Sequence, residues 1–237
     1  MLGVADVQHD LRFPAAGNLE SIVLKILSAQ EYPVLQLPGW VPRTVLDIGA
    51  NVGAASLLFS LAYPGARVRA WEPSPSTVAF LLPNTAWRPQ IEVEAVGLYD
   101  RHASVKLYQG TSQCAQASVS ASVETRGDSF ETIALVPAAE AIGAVEGPVV
   151  LKIDTEGCEV PVLTGIPEVL ARTDVLYVEY HSEQDRREIE ALVADRFVLW
   201  RASAVAVHRG TLAYLSRALV AAYPALGGLE IARPKWA

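Results

Sequence analysis

The segment Val45-Leu46-Asp47-Ile48-Gly49-Ala50-Asn51-Val52-Gly53 reads as a buried strand that runs into a glycine turn and then a helix. Without Cβ atoms at Gly49 and Gly53 the backbone can approach a ligand closely. Glycines alone also serve tight turns and close helix packing, so the neighbouring residues decide between the two uses. Asp47 is the first such neighbour: a carboxylate beside a pyrophosphate would be repelled, whereas a cationic ligand suits it. S-adenosylmethionine carries an ammonium and a sulfonium but no phosphate, so an acidic loop entrance agrees with its charge and disagrees with that of NAD. Glu72, in Ala70-Trp71-Glu72-Pro73, follows one strand-helix-strand unit later, where a carboxylate can accept hydrogen bonds from both ribose hydroxyls. Gly97 and Leu98 are placed to border the adenine, although small and apolar residues there are also ordinary core. The expected cofactor-binding set is therefore Asp47, Gly49, Ala50, Asn51, Gly53, Glu72, Gly97, Leu98 and Asp154.

Asp154 belongs to a second group of chemically capable residues. By two-residue alternation Val150, Lys152 and Asp154 share one face of a strand, and Leu151 and Ile153 share the other. Charges on a buried strand need partners, which here means a Lys152–Asp154 ion pair or neutralisation of Lys152 by Glu179. Glu179 and His181 share a face at the carboxyl end of the next strand, and open α/β sheets bind ligands outside those ends. Asp154, Glu156, Glu179 and His181 are thus expected to converge. If the cationic ligand is S-adenosylmethionine, the reaction it would serve is methyl transfer, an in-line displacement in which most of the work is positioning in a dry pocket and a base assists an alcohol acceptor. Asp154, His181 and Glu179 are the candidate catalytic residues: His181 for its titration range, and Asp154 to orient the hydroxyl, the cofactor amine or the imidazole. Against this, a histidine at a strand end is more often a surface or hydrogen-bonded residue. An Asp/Glu/His cluster also binds magnesium in some O-methyltransferases, but no spacing here is diagnostic and no metal is assigned. His9, His102 and His208 lack a supporting motif.

The elements that must position these residues follow from periodicity. Strands are predicted over 44–48, 67–71, 91–96, 149–154 and 175–181, alternating with helices, which argues for parallel βαβ units in a doubly wound sheet. Ser74-Pro75 gives an N-cap with proline at the first helical position, and Ser182-x-x-Asp185 resembles a capping box. Pro64-Gly65 ends the helix after the glycine loop, Pro83 is expected to shorten or kink the next one, and Ile189, Leu192 and Val193 form an apolar stripe. Strands over 197–200 and 211–215 around the turn signal Arg209-Gly210 predict a closing antiparallel hairpin. Residues 1–42, with a helix near 19–28, are expected to be a cap or lid on a domain over 43–237. The Ser/Ala/Gln/Thr-rich stretch 109–128 is expected to be a long loop that shapes the acceptor pocket.

With 237 residues the chain suits one large domain, and 51% hydrophobic and 19% charged residues fit a packed enzyme rather than a disordered chain. A net charge of −7 with scattered basic residues argues against a nucleic-acid partner. No apolar run reaches bilayer length and the N-terminus lacks a leader pattern, so a cytoplasmic protein without membrane contact is expected. Cys114 and Cys158 have neither disulfide-framework nor zinc spacing and read as ordinary buried thiols.

The glycine loop, Glu72-Pro73, and Val150-Leu151-Lys152-Ile153-Asp154-Thr155-Glu156-Gly157-Cys158-Glu159 followed by Val162-Leu163-Thr164-Gly165 together resemble the FkbM family of methyltransferases, over about residues 44–181. The resemblance implies a class I, Rossmann-like methyltransferase fold, S-adenosylmethionine as cofactor, and methylation of a hydroxyl on a small molecule such as a natural product or sugar. One departure is Leu135-Val136-Pro137, where the family pattern leads us to expect a Leu-Asp pair. The competing classes are a nucleotide-binding oxidoreductase and a non-catalytic S-adenosylmethionine-binding protein. A DNA-methylating enzyme is disfavoured by the lack of an Asn/Asp-Pro-Pro-aromatic sequence and of a basic face.

Overall fold

The computed structural model describes residues 10–14, 18–108 and 130–227. The expected loop over 109–128, together with His9 and Cys114, lies outside these residues. In chain order the elements are α1 (Leu19–Leu27), β1 (Thr44–Ile48), α2 (Ala54–Ala62), β2 (Arg67–Trp71), α3 (Pro75–Thr85), β3 (Ile91–Glu94), β4 (Gly97–Tyr99), β5 (Ala103–Tyr108) and β6 (Phe130–Pro137). They continue with α4 (Ala138–Ile142), β7 (Val149–Ile153), α5 (Glu159–Gly165), α6 (Pro167–Leu170), β8 (Thr173–Tyr180), α7 (Glu183–Val193), β9 (Phe197–Ala206), β10 (Arg209–Ser216), α8 (Arg217–Ala222) and α9 (Pro224–Gly227).

Seven strands form one sheet in the order β3-β2-β1-β7-β8-β10-β9. Pairing is parallel from β3 to β8 and antiparallel at β8–β10 and β10–β9. This is the expected mostly parallel, doubly wound sheet with its closing antiparallel hairpin. The central strands β1 and β7 are buried at every position, which is why their sequences are nearly continuous apolar runs. Alternation divides the side chains between two cores. Val45, Val150, Val175 and Tyr177 pack with Phe59 and Tyr63 and with Tyr32, Leu35 and Trp40 from the N-terminal segment. Leu46, Ile48, Leu151, Ile153, Leu176 and Val178 pack on the other face with Val162, Leu163, Ile189 and Val193. The N-terminal segment thus lies against the sheet face toward which Asp47 and Lys152 point. It is clipped there by Trp40 Nε1, which donates to Asp174 Oδ2 at 2.8 Å, while Ser216 Oγ donates to Asp174 Oδ1 at 2.9 Å.

Several local expectations are corrected. The hairpin turns at Val207-His208, not at Arg209-Gly210, and Gly210 lies in β10, where an added Cβ would stand 2.4 Å from the Ser203 carbonyl oxygen. The glycine there serves close strand packing. Helix α3 runs through Pro83 to Thr85, so the proline does not end it, and Leu192 is 41% exposed, leaving Ile189 and Val193 as the buried side chains of α7. Strand β3 ends at Glu94, and Gly97–Tyr99 leaves the main sheet for a second, three-stranded one in the order β4-β6-β5. Nothing in the periodicity announced that second sheet.

Both predicted helix caps form: Ser74 Oγ accepts from Thr77 N at 3.2 Å and Ser182 Oγ from Asp185 N at 2.9 Å. Because α7 buries only Ile189 and Val193, its cap matters to its stability. Ser182→Ala is expected to lower unfolding free energy by about 1 kcal/mol in urea titration, and a loss of only a few tenths would show that the cap is dispensable. Among the described residues, no helix is long and apolar enough to cross a membrane.

Candidate functional site

Strand β1 sits between β2 and β7, so the loops leaving β1 and β7 diverge at the switch point of the sheet and open a crevice at the strand carboxyl ends. Gly49 has φ +80°, and a Cβ there would stand 1.7 Å from the Asp154 carbonyl oxygen, so only glycine lets the two strand exits meet. Asp154 N donates back to Ile48 O at 3.0 Å and closes that junction. The loop amides are used within the protein. Gly49 and Ala50 donate to Trp71 O at 3.0 and 2.9 Å, Asn51 to Glu72 Oε2 at 2.9 Å, and Gly53 to Ala50 O at 2.9 Å. Glu72 also accepts Ser74 N on Oε1 at 3.0 Å. Burial pushes the Glu72 carboxyl up to about 6 against the opposing pull of those two N–H groups.

Asp47 was expected to offer its charge at the loop entrance, but its side chain is 0% exposed and turned inward. Oδ1 lies 3.1 Å from Lys152 Nζ, and Oδ2 accepts Ser56 Oγ at 2.5 Å. The partner follows from register, since Asp47 stands directly beside Lys152 in the β1–β7 ladder. Lys152, 3% exposed, also donates to Gly49 O at 2.5 Å and lies 3.7 Å from Asp154 Oδ2. Burial pulls its ammonium down, but the charges of Asp47 and Asp154 outweigh that and hold it above the ordinary lysine value. The acidity that faces the crevice therefore comes from Glu72 and Asp154.

Asp154, Glu156, Glu179 and His181 do converge. Their side chains are 24, 22, 12 and 15% exposed, which makes this a polar, partly open cleft. Tyr32 Oη donates to Asp154 Oδ2 at 3.3 Å. Burial and then the Asp154 charge push Glu179 up to about 9, while Arg209 pulls it the other way by donating Nε to Glu179 Oε1 at 2.6 Å. Asp154 itself is raised by burial and lowered by Lys152, Glu179 and His181, with lowering the net result. His181 Nε2 stands 3.0 Å from Glu156 Oε2, and Nδ1 stands 3.3 Å from Glu159 Oε1. Burial lowers the imidazole, but the two glutamates prevail and push it up to about 11. Glu159, not Asp154, is thus the carboxylate behind the imidazole.

The remaining expected residues are less central. Gly97 packs beneath Leu135 and Pro73, and the Leu98 side chain is buried in the main core. His102 pairs with Glu140 at 3.0 Å on the exterior. Cys158 is a buried thiol that burial pushes up to about 12. Sequence reasoning passed over Tyr32, Glu159 and Arg209. Glu159 did carry a signal: Thr155 and Glu159 straddle a helix start, and Glu159 caps back onto Thr155 N at 2.8 Å and Gly157 N at 3.1 Å. Arg209 reaches Glu156 at 3.2 Å and Glu179 only because β10 runs antiparallel beside β8.

Comparison with known proteins adds a family and a fold. A family model described as the methyltransferase FkbM domain matches residues 47–212. Hexuronic acid methyltransferase AglP of Haloferax volcanii is 28% identical over 190 residues, covering 79% of this chain and 70% of its own. The crystal structure of methyltransferase FkbM from Methylobacillus flagellatus KT superposes with a TM-score of 0.54 at 16% identity over 80% of this chain. This chain spans about half, 47%, of the length of that structure.

Proposed function

The chain belongs to the FkbM family of methyltransferases, and from that premise we propose that it transfers a methyl group from S-adenosylmethionine to a hydroxyl of a small acceptor, a sugar or natural product. The observation that carries the cofactor reading is the spent glycine loop. A pyrophosphate needs free backbone N–H groups or nearby cations, whereas the amides of Gly49, Ala50, Asn51 and Gly53 are all engaged and Lys152 is committed to Asp47. What remains at the crevice is acidic, which suits an ammonium, a sulfonium and a ribose and opposes NAD. Glu72 would hold the ribose through its remaining lone pairs, and the loop backbone would flank the amino-acid moiety. The relative that acts on a hexuronic acid directs the acceptor reading toward sugars.

Bound there, S-adenosylmethionine supplies an electrophilic methyl group on a cationic sulfur. The acceptor oxygen forms the new O–C bond as the C–S bond breaks toward sulfur, and the Asp154 carboxylate takes the hydroxyl proton. Tyr32 and Lys152 fix one oxygen of that carboxylate. The polar, partly open cleft supports catalysis over a purely cofactor-holding protein.

Calorimetric titration tests the cofactor. S-adenosylmethionine and its demethylated product are expected to bind, and NAD is not; a preference for NAD would overturn the reading. Glu72 accepts ribose hydroxyls best when ionised. Affinity is therefore expected to be full above pH 6 and to weaken by up to about tenfold per unit as pH falls below the value near 6 held by the free protein. Affinity that stays flat between pH 7 and 5 would remove Glu72 from the ribose site.

A further inference from the structure

We propose that Asn84 is a positioning residue for cofactor binding, tying the glycine loop at Val52 to the strap of residues 10–14 at Arg12, so that loop and strap are held or released together. The loop needs an outside anchor because of its backbone: Gly49, Asn51 and Gly53 have φ of +80°, +51° and +92°. Such a run of left-handed residues persists only where the surroundings over-determine it. Asn51 lacks the freedom of a glycine at that angle, so its conformation leans on contacts outside the loop. Glu72 supplies one of them at Asn51 N, and α3 supplies the others.

Leu81, Asn84 and Thr85 share one face of α3 by their spacing of three and four residues, and all three are buried. A Cβ at Gly53 would stand 2.8 Å from Leu81 Cδ1 and 2.9 Å from Thr85 Cγ2, so this face lies directly on the Val52-Gly53 turn. Thr85 Oγ1 bonds back to Leu81 O within the helix, whereas Asn84, 3% exposed, reaches across to other segments. Its Nδ2 donates to Val52 O and to Arg12 O, each at 2.8 Å, and its Oδ1 accepts Arg12 N at 2.8 Å. Both amide protons and the carbonyl oxygen are thus spent on two backbone segments far apart in sequence. The two-way pairing with Arg12 fixes the strap in direction as well as in position.

Apolar contact holds the strap at the same place, where Leu11 and Phe13 pack with Val52, Ala54 and Phe80. Farther along the N-terminal segment, Tyr32 reaches Asp154 Oδ2. Asn84 therefore joins the loop backbone that would flank the cofactor to a segment that also touches the candidate catalytic carboxylate. By linkage, a ligand that favours the ordered loop favours the docked strap, and loosening the strap weakens the ligand. This role rests on the reading of the loop as the S-adenosylmethionine site.

The test combines calorimetric titration with S-adenosylmethionine and residue-resolved amide hydrogen exchange on the whole chain, without an acceptor. In the wild type, saturating S-adenosylmethionine is expected to slow exchange of the Arg12 amide by at least about fivefold. Gly143 N, which bonds Ala139 O at 3.0 Å at the end of α4 on the other sheet face, is the internal reference and should not respond. Asn84→Leu, similar in size but without the three bonds, is expected to bind about tenfold more weakly and to lose the protection at Arg12. A purely structural role would lower stability without making Arg12 exchange answer to the cofactor. If circular dichroism shows that Asn84→Leu is not folded, Arg12→Pro replaces it, removing the strap N–H while Asn84 keeps Val52, and is expected to bind about fivefold more weakly. Wild-type binding with Arg12 exchange unchanged, or affinity within about twofold of wild type in a folded variant, overturns the role of Asn84 alone. Absence of binding to the wild type overturns the cofactor reading and this role with it, so the two failures are told apart.

Discussion

Replacing Lys152 with methionine is expected to cost about 3–5 kcal/mol of unfolding free energy, because it strands the buried carboxylate of Asp47. Asp47 has no exposed surface, and its remaining contact is the Ser56 hydroxyl at 2.5 Å. One hydroxyl cannot replace the hydration that a carboxylate gives up on burial. The variant also removes the donor to the Gly49 carbonyl, so the damage reaches the glycine loop. The ion pair itself adds little net stability once both desolvation costs are counted; what is expensive is breaking one side of it. The second variant follows from that asymmetry: Asp47→Asn/Lys152→Met should be less destabilised than Lys152→Met alone, with a coupling free energy of about 1–3 kcal/mol. Guanidinium unfolding of the wild type and three variants measures it. A loss below about 1 kcal/mol in Lys152→Met would mean that Asp47 finds another partner or remains hydrated.

That pair also marks where reading the sequence reaches its limit. Alternation correctly put Lys152 and Asp154 on one face and required partners for them, but it offered Asp154 or Glu179 for Lys152. The dominant partner, Asp47, is set by the β1–β7 register, a non-local quantity that periodicity within one strand does not contain. The same limit explains Arg209, which joins Glu179 across an antiparallel ladder, and Tyr32, which arrives from the N-terminal segment to touch Asp154. The positions of the main strands and the doubly wound, mostly parallel class were legible because β1 and β7 are nearly continuous apolar runs and β2 and β8 lead into turn residues or capped helices, in the alternation of parallel βαβ units. The second sheet was not legible. Its β4 is three residues long, and its other two strands pair across the intervening 109–129 stretch, which carries no alternation of its own. Gly210 shows a subtler failure: the residue type was read as a turn signal when its use is close packing within a strand.

For the proposed chemistry the decisive substitution is Asp154→Asn, which is expected to slow methyl transfer by about 10²–10⁴-fold while leaving S-adenosylmethionine affinity within about threefold. The change is close to isosteric. The Asp154 backbone keeps its bond to Ile48 O and its contact with Gly49, so the loop is preserved, and Lys152 retains Asp47 and the Gly49 carbonyl as partners. An asparagine oxygen can still accept from Tyr32, so the acceptor side of the cleft keeps its shape. Lost are the negative charge and the capacity to take a proton. A kcat loss with an unchanged cofactor dissociation constant therefore separates a catalytic role from a structural one, which would move both. Turnover is followed as formation of S-adenosylhomocysteine across a panel of sugars and sugar acids, with calorimetry for the cofactor. His181→Gln provides the contrast, because an imidazole held by Glu156 and Glu159 is not poised as a neutral base, and its removal should cost less than the aspartate change. If Asp154→Asn turns over a true acceptor at the wild-type rate, Asp154 leaves the mechanism and the proton must go elsewhere in the cleft.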